Sequence, residues 1–187
     1  MNQKTEQLSF FPVEKQHQEI IRNWLKKEHV KEYFYGQGLE NTLRSLDDFV
    51  NGTENNEDVS WEHWIAYLSD KPFGYLMTSP VKGPYDSSED YNKWYKEGKE
   101  TITLDLLIGE EEFLGKGLAH RMIQEFLRNK FSHVSKVLID PGATNKKAIH
   151  VYEKAGFKKA EQFCPDYDPV PHWMMVLEID HLTNDPN

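Results

Sequence analysis

The stretch Asp140-Pro141-Gly142-Ala143-Thr144-Asn145-Lys146-Lys147-Ala148-Ile149-His150-Val151-Tyr152-Glu153-Lys154-Ala155-Gly156-Phe157 decides the fold. It reads as the end of a strand, a tight turn and a helix stopped by glycine. Asn145 opens a helix that runs to Ala155, and Gly156 closes it. Lys136 to Asp140 before it and Phe157 to Phe163 after it carry strand-like apolar runs. The order is therefore strand, turn, helix, strand.

A second unit of the same kind precedes it. Thr101-Ile102-Thr103-Leu104-Asp105-Leu106-Leu107-Ile108 is a strong β run. The turn Gly109-Glu110-Glu111-Glu112-Phe113-Leu114-Gly115-Lys116 then leads to a helix from Gly117 to Lys130. Leu118, Met122, Ile123, Phe126 and Leu127 form its apolar stripe. Gly115 and Gly117 permit positive φ and close approach of a ligand to the backbone. The first amides of a helix lack internal acceptors, and with the helix dipole they favour an anion such as a pyrophosphate. A Walker loop has other spacing and a hydroxyl, and a dinucleotide fingerprint has three glycines in fixed pattern; neither is present. Taken alone, Gly-Lys-Gly before a helix is an ordinary turn, and Glu110 to Glu112 are a solvated charge run. Asp105 stands out, because a carboxylate between Leu104 and Leu106 is seldom buried without a partner.

Upstream, Leu8 to Val13 reads as a strand and Glu14 to Lys27 as an amphipathic helix. Tyr33 to Gly38 is expected to be a loop, Thr42 to Val50 a helix and Thr53 to Glu62 an acidic loop. Trp64 to Leu68 and Phe73 to Met77 form a hairpin about Ser69-Asp70-Lys71-Pro72. Val81 to Lys99 is a long polar segment of the kind that is often functional. Trp173 to Ile179 is the last strand. The whole is one α/β domain over residues 1–187: an N-terminal meander followed by β-α-β-α-β-β.

The chain has 187 residues and a formal charge of −9, which suits one domain and argues against duplex nucleic acid. Leu, Ile, Val and Phe make up about a quarter of it, above the roughly 20 % floor for a foldable charged chain. The acidic balance suits a cationic substrate. The one cysteine, Cys164, excludes an internal disulfide, fits a reducing cytoplasm and reads as a packing residue. No run approaches the about 18 apolar residues of a membrane span, and Met1 to Gln7 carries no signal-peptide core. Cytoplasmic location, a small-molecule partner, no nucleic acid, no membrane and a monomer or homodimer are expected. No His, Cys or Asp cluster has metal-ligand spacing.

The two units together resemble the GCN5-related N-acetyltransferase (GNAT) superfamily, which uses acetyl-coenzyme A. Asn-x-x-Ala-x-x-x-Tyr-Glu-Lys-x-Gly-Phe from Asn145 is the more specific block. The motifs cover Leu104 to Phe157, and the strand order extends the likeness over the chain. Glu112 stands where the family often has Gln or Arg, at a position that donates through its backbone. Within the superfamily the chain is similar to aminoglycoside 6′-N-acetyltransferases, through His29-Val30-Lys31-Glu32-Tyr33-Phe34, Phe73-Gly74-Tyr75, Thr103-Leu104-Asp105, Leu114 to Leu118, and Asp140-Pro141 with Asn145. Lysine-type siderophore acyltransferases look alike over the same segments.

The resemblance implies an α/β fold with a mixed, mostly antiparallel, V-split sheet flanked by helices. It implies acetyl-CoA as cosubstrate, with backbone groups of Leu106, Leu107 and Ile108 on the pantetheine. Amides of Leu114, Gly115, Lys116, Gly117, Leu118 and Ala119 would bind the pyrophosphate, and Asn145 would hold the arm from the other side. Asp105 would accept a proton from the attacking amine, and Tyr152 would protonate the departing thiolate; structural roles for both are the alternative. Tyr33, Phe34 and Trp94 would floor the acceptor pocket. Asp140, Asp166 and Asp168 would contact substrate ammonium groups, and Asp140 would equally serve as a cap for the turn before Asn145. The acidic loops Glu54 to Glu62 and Asp86 to Asp90 would add negative potential. The acceptor expected is a polycationic amino sugar. Acyl transfer to a siderophore precursor, acetylation of a protein or peptide amine, and non-catalytic acyl-CoA binding stay open.

Overall fold

The computed structural model describes residues 6–53, 60–83 and 92–179. The acidic stretches expected to add potential fall largely at 54–59 and 84–91, outside the described residues. One sheet of seven strands organises the chain: β1 (Leu8–Pro12), β2 (Glu62–Leu68), β3 (Lys71–Pro80), β4 (Thr101–Ile108), β5 (Lys136–Ile139), β6 (Lys158–Phe163) and β7 (His172–Glu178). Their order across the sheet is β1-β2-β3-β4-β5-β7-β6. All pairs are antiparallel except β4 with β5. That pair is joined by the helix α4 (Leu118–Lys130), because parallel neighbours need a long crossover.

The parallel pairing is short. It runs from Thr101↔Lys136 to Thr103↔Leu138 and stops, while β4 stays paired with β3 as far as Ile108. Beyond Thr103 the two strands part, and the sheet opens as a V. The sequence expectation of a split, mostly antiparallel sheet holds.

Side-chain alternation along β4 sorts the two faces. Ile102, Leu104, Leu106 and Ile108 pack with α4 and with α5 (Lys146–Ala155). Leu107 points to the other face, into a core built with α1 (Gln18–Trp24), α2 (Glu28–Lys31) and α3 (Gly36–Asn51). All five residues of the expected α4 stripe are buried.

Several local expectations need correction. The helix placed at Thr42 begins at Gly36, so the run read as a loop to Gly38 is partly helical. Its first residue holds φ +55°, which a glycine alone adopts freely; glycines in a first turn look like a loop by propensity. The helix read from Glu14 is a 3-10 turn, Lys15–His17, followed by α1 from Gln18. The hairpin turn is only Ser69-Asp70, and Lys71 and Pro72 belong to β3. Cys164 is exposed rather than packed, since Phe163 before it turns inward. No helix among the described residues is long and apolar enough to cross a membrane.

Candidate active site

A cavity of about 770 Å³ opens where β4 and β5 part. Its walls come from the α2–α3 junction, α3, the ends of β3 and β5, the middle of β4, the turn before α5, and the chain from Tyr167 to His172. Asp105 reaches it because odd-numbered residues of β4 face that side and the strand has lost β5 as a cover. Asp140 reaches it as the first residue past β5. Tyr152 comes from the middle of α5 and Asp168 from the turn before β7.

Electrostatics follow from this crowding. Burial and the charge of Asp140 push the Asp105 carboxyl up to about 7, with a partial offset from His172. Burial, then the charges of Asp105 and Asp140, raise the Tyr152 phenol above its usual range. Asp140 Oδ2 accepts from Tyr167 Oη at 3.0 Å and lies 3.1 Å from His172 Nδ1. Asp168 Oδ2 accepts from Tyr35 Oη at 3.1 Å and lies 3.3 Å from His172 Nε2. Burial would raise Asp168, but the Val170 amide, His172 and Tyr35 leave it lowered overall.

Sequence reading found the ionisable core of this wall and two of its aromatic residues. Asp105, Tyr152, Asp140, Asp168, Tyr33, Phe34, Leu106 and Asn145 all line the cavity. Asp140 is engaged by His172 and Tyr167, and the cap of α5 is instead Asn145, whose side chain accepts from Ala148 N at 3.0 Å. Asp166 is exposed and is not among the cavity residues, although it sits two positions from Asp168. Trp94 is also elsewhere, packed against Val81, Leu138 and Met174. His172, Tyr35 and Tyr167 were not foreseen. A histidine opening a terminal strand carries no local signal, and its importance lies in what surrounds it.

The edge of β4 that faces the gap is defined by its ladder. Val81 N donates to Thr101 O and Gly109 N to Phe73 O at 2.8 Å each. Alternate residues of an antiparallel strand bond to one neighbour, so the odd residues bond to β3. Leu106 and Ile108 therefore aim their backbone groups at the gap, and those of Leu107 are engaged with β3. The Ile108 carbonyl accepts from His29 Nε2 at 2.9 Å. Past β4, Phe113 and Leu118 are buried while Leu114 to Gly117 stay exposed. Gly115 and Gly117 hold φ +71° and +72°. No atom lies within 4 Å of a Cβ placed on Gly115. The loop is thus pinned at both ends. Of the amides expected to bind the pyrophosphate, that of Leu114 is already engaged, donating to Glu111 O at 3.0 Å and closing the 3-10 turn.

A family model for an acetyltransferase (GNAT) domain matches residues 14–164. Over 145 residues, 75 % of this chain and 68 % of the relative, the sequence is 28 % identical to aminoglycoside N(6′)-acetyltransferase type 1 of Klebsiella pneumoniae. The crystal structure of an aminoglycoside N(6′)-acetyltransferase from Legionella pneumophila matches with TM-score 0.82 and 36 % identity, over 98 % of each chain. AAC(6′)-Ib, solved with ribostamycin and coenzyme A, shares the fold at TM-score 0.77 and 22 % identity, over 97 % of this chain and 99 % of that one.

Proposed function

The chain belongs to the GNAT acetyltransferase family, and from that premise we propose that it transfers an acetyl group from acetyl-CoA to the 6′-amine of an aminoglycoside-type polycation. The observation that carries this reading is the convergence of Asp105, Asp140 and Asp168 with Tyr152 in one cavity at the split of the sheet. Relatives named as aminoglycoside N(6′)-acetyltransferases support the choice of acceptor.

The residues present fit acetyl-CoA. Leu106 and Ile108 offer backbone groups to an extended arm, the amides from Gly115 to Ala119 suit a pyrophosphate, and Asn145 retains its amide N–H groups for the opposite side. Bound acetyl-CoA supplies a thioester open to direct attack by an amine.

The rest is work for side chains. An alkylammonium has a pKa near 10 and must lose a proton before it attacks. Asp105 binds the ammonium and takes that proton directly or through water. A carboxyl held at about 7 is a stronger base than an ordinary aspartate, yet it is substantially ionised at neutral pH. As the C–N bond forms and the C–S bond breaks, the amine's second proton goes to the departing sulfur; Tyr152, whose phenol is raised by burial and by Asp105 and Asp140, donates a hydrogen bond to that sulfur rather than the proton expected of it. Asp140 and Asp168 take a second ammonium, and the rings of Tyr33 and Phe34 lie against the sugar. Holding the two reactants in place supplies most of the rate.

The test is thiol release from acetyl-CoA with kanamycin, tobramycin, hydroxylysine, spermidine and a basic peptide. Turnover on aminoglycosides, lost in Asp105→Asn with acetyl-CoA still bound, is expected. Release with hydroxylysine alone, or with the peptide alone, would replace the acceptor. Acetyl-CoA binding without turnover on any amine would overturn the reading.

A further inference from the structure

His172 lies between two of the cavity's carboxylates. We propose that His172 is a positioning residue which, as an imidazolium, clamps Asp140 to Asp168 and presents the pair to an acceptor ammonium that is kept rather than acetylated. The inference rests on the amine-acetylation reading above, in which Asp140 and Asp168 take a second ammonium, and adds to it the residue that holds that pair together.

Both ring nitrogens face oxygens that can only accept. Nδ1 lies 2.6 Å from the Asp140 carbonyl oxygen and 3.1 Å from its Oδ2; Nε2 lies 3.3 Å from Asp168 Oδ2. A neutral ring has one N–H and would aim a lone pair at one of these oxygens. The residue is 7 % exposed, so water is a poor substitute for the missing proton. The rings of Phe163 and Tyr167 stand 6.1 and 5.9 Å away, at 62° and 88° to the imidazole, and restrict its plane. The groups facing His172 are acidic or phenolic: Asp140, Asp168 and Tyr167, with Asp105 acting on it from β4 and Tyr35 held through Asp168. Burial alone would lower the His172 pKa, but the hydrogen bond to and charge of Asp140, with Asp168, raise it overall.

Two consequences follow. The imidazolium offsets one of three carboxylate charges, so the cup presents two, which matches one ammonium at Asp105 and a second at the clamped pair. When His172 loses its proton, a lone pair meets a carboxylate, the pair separates, and the retained ammonium loses its seat. Acceptor KM then rises; the lost positive charge also lets the Asp105 carboxyl rise further, which lowers the rate only below the pH at which Asp105 is fully ionised.

The experiment has two arms on the full chain. In the first, 15N-histidine NMR, with the His172 ring assigned by NOEs to the neighbouring rings of Phe163 and Tyr167, reads both ring nitrogens of the wild type as protonated at pH 7.5. In the second, kcat and KM are measured from pH 6 to 9 for wild type and His172→Gln with whichever amine is turned over. The ratio of variant to wild-type KM cancels titration of the substrate itself. It is expected to be tenfold or more at pH 6.5 and to fall toward one at high pH, with kcat at pH 9, where Asp105 is ionised in both proteins, within threefold and acetyl-CoA KM unmoved. A singly protonated ring in the wild type, or a ratio that does not change with pH, overturns the proposal. If aminoglycosides fail and another polyamine reacts, only the acceptor named above is lost. If His172→Gln does not fold, or if no amine reacts, the wild-type NMR arm still decides the protonation state.

Discussion

A Cβ placed on Gly109 would lie 2.0 Å from Cδ2 of Trp24. The end of β4 and the fully buried indole of α1 thus meet at a distance that only glycine allows. Trp24 Nε1 donates to Glu110 Oε1 at 2.7 Å, which locks the same corner from the next residue. This contact seats the N-terminal helices on the strand that carries Asp105.

Gly109→Ala is therefore an overpacking mutation against a rigid ring. It should cost about 3 kcal/mol, at the upper end of such changes, or roughly 6–12 °C in Tm for a domain of this size. Thermal unfolding checks this; an unchanged Tm would mean that the indole yields freely.

Asp105→Asn should lower kcat by about 10²–10⁴-fold, the usual span for a lost general base. Wild-type kcat/KM should rise with pH through about 7, where the carboxyl ionises. The pH–rate profile of wild type and the residual rate of the variant test this together.

The same carboxyl makes stability depend on pH. Its folded pKa, about 7, lies above the ordinary value of 3.8. The stability that its protonated form contributes is present below pH 3.8 and is lost as pH rises to about 7. Asp105→Asn avoids that loss and should exceed wild type at pH 8 by at most on the order of 4 kcal/mol. His63 acts in the opposite sense. Burial pushes it down to about 4, so its contribution is lost as pH falls from 6.5 through 4. The variant should then lose stability on acidification more steeply than wild type, as urea unfolding at pH 8 and pH 5 would read.

Asn145 caps α5, and the proposed function gives it a second role that substitution separates from the first. Its side-chain oxygen caps α5 through Ala148 N, and in the proposed function its amide N–H groups would meet the acyl carrier. Asn145→Ala should cost about 1 kcal/mol of stability and raise the KM for acetyl-CoA. Asn145→Asp should keep the cap and still raise that KM. Equal KM for Asn145→Asp and wild type would leave Asn145 as a cap alone.

If the acceptor is polycationic, its KM should climb as salt screens Asp105, Asp140 and Asp168. Initial rates at 50 and 500 mM NaCl give the answer, and a salt-independent KM would point to a neutral acceptor.

The two signature blocks were legible because their signals are local. The α4 stripe repeats within three turns, Asn145 and Gly156 bracket α5, and Asp105 is the one charge in the β4 run. Each can be read within a window of a dozen residues. Other parts misled for the same reason. Gly36 and Gly38 looked like a loop, because propensity does not register the packing of α3 on β2 and β3. Trp94 looked like a pocket aromatic, but it fills a core with Leu138 and Met174. Leu107 was grouped with its neighbours, although strand alternation turns its backbone toward β3.

By itself the sequence determined the order of elements, the two-unit α/β core with its glycine turn, and the short set of carboxylates from which a site could be built. Tertiary structure decided which of those carboxylates meet. Asp168 joins the cavity and Asp166 does not. His172 comes to lie between Asp140 and Asp168 because β7 pairs with β5 in the register Ile139↔Met175. Periodicity and turn chemistry act over a few residues, whereas that register joins segments more than thirty residues apart, and it is set by burial across the whole sheet.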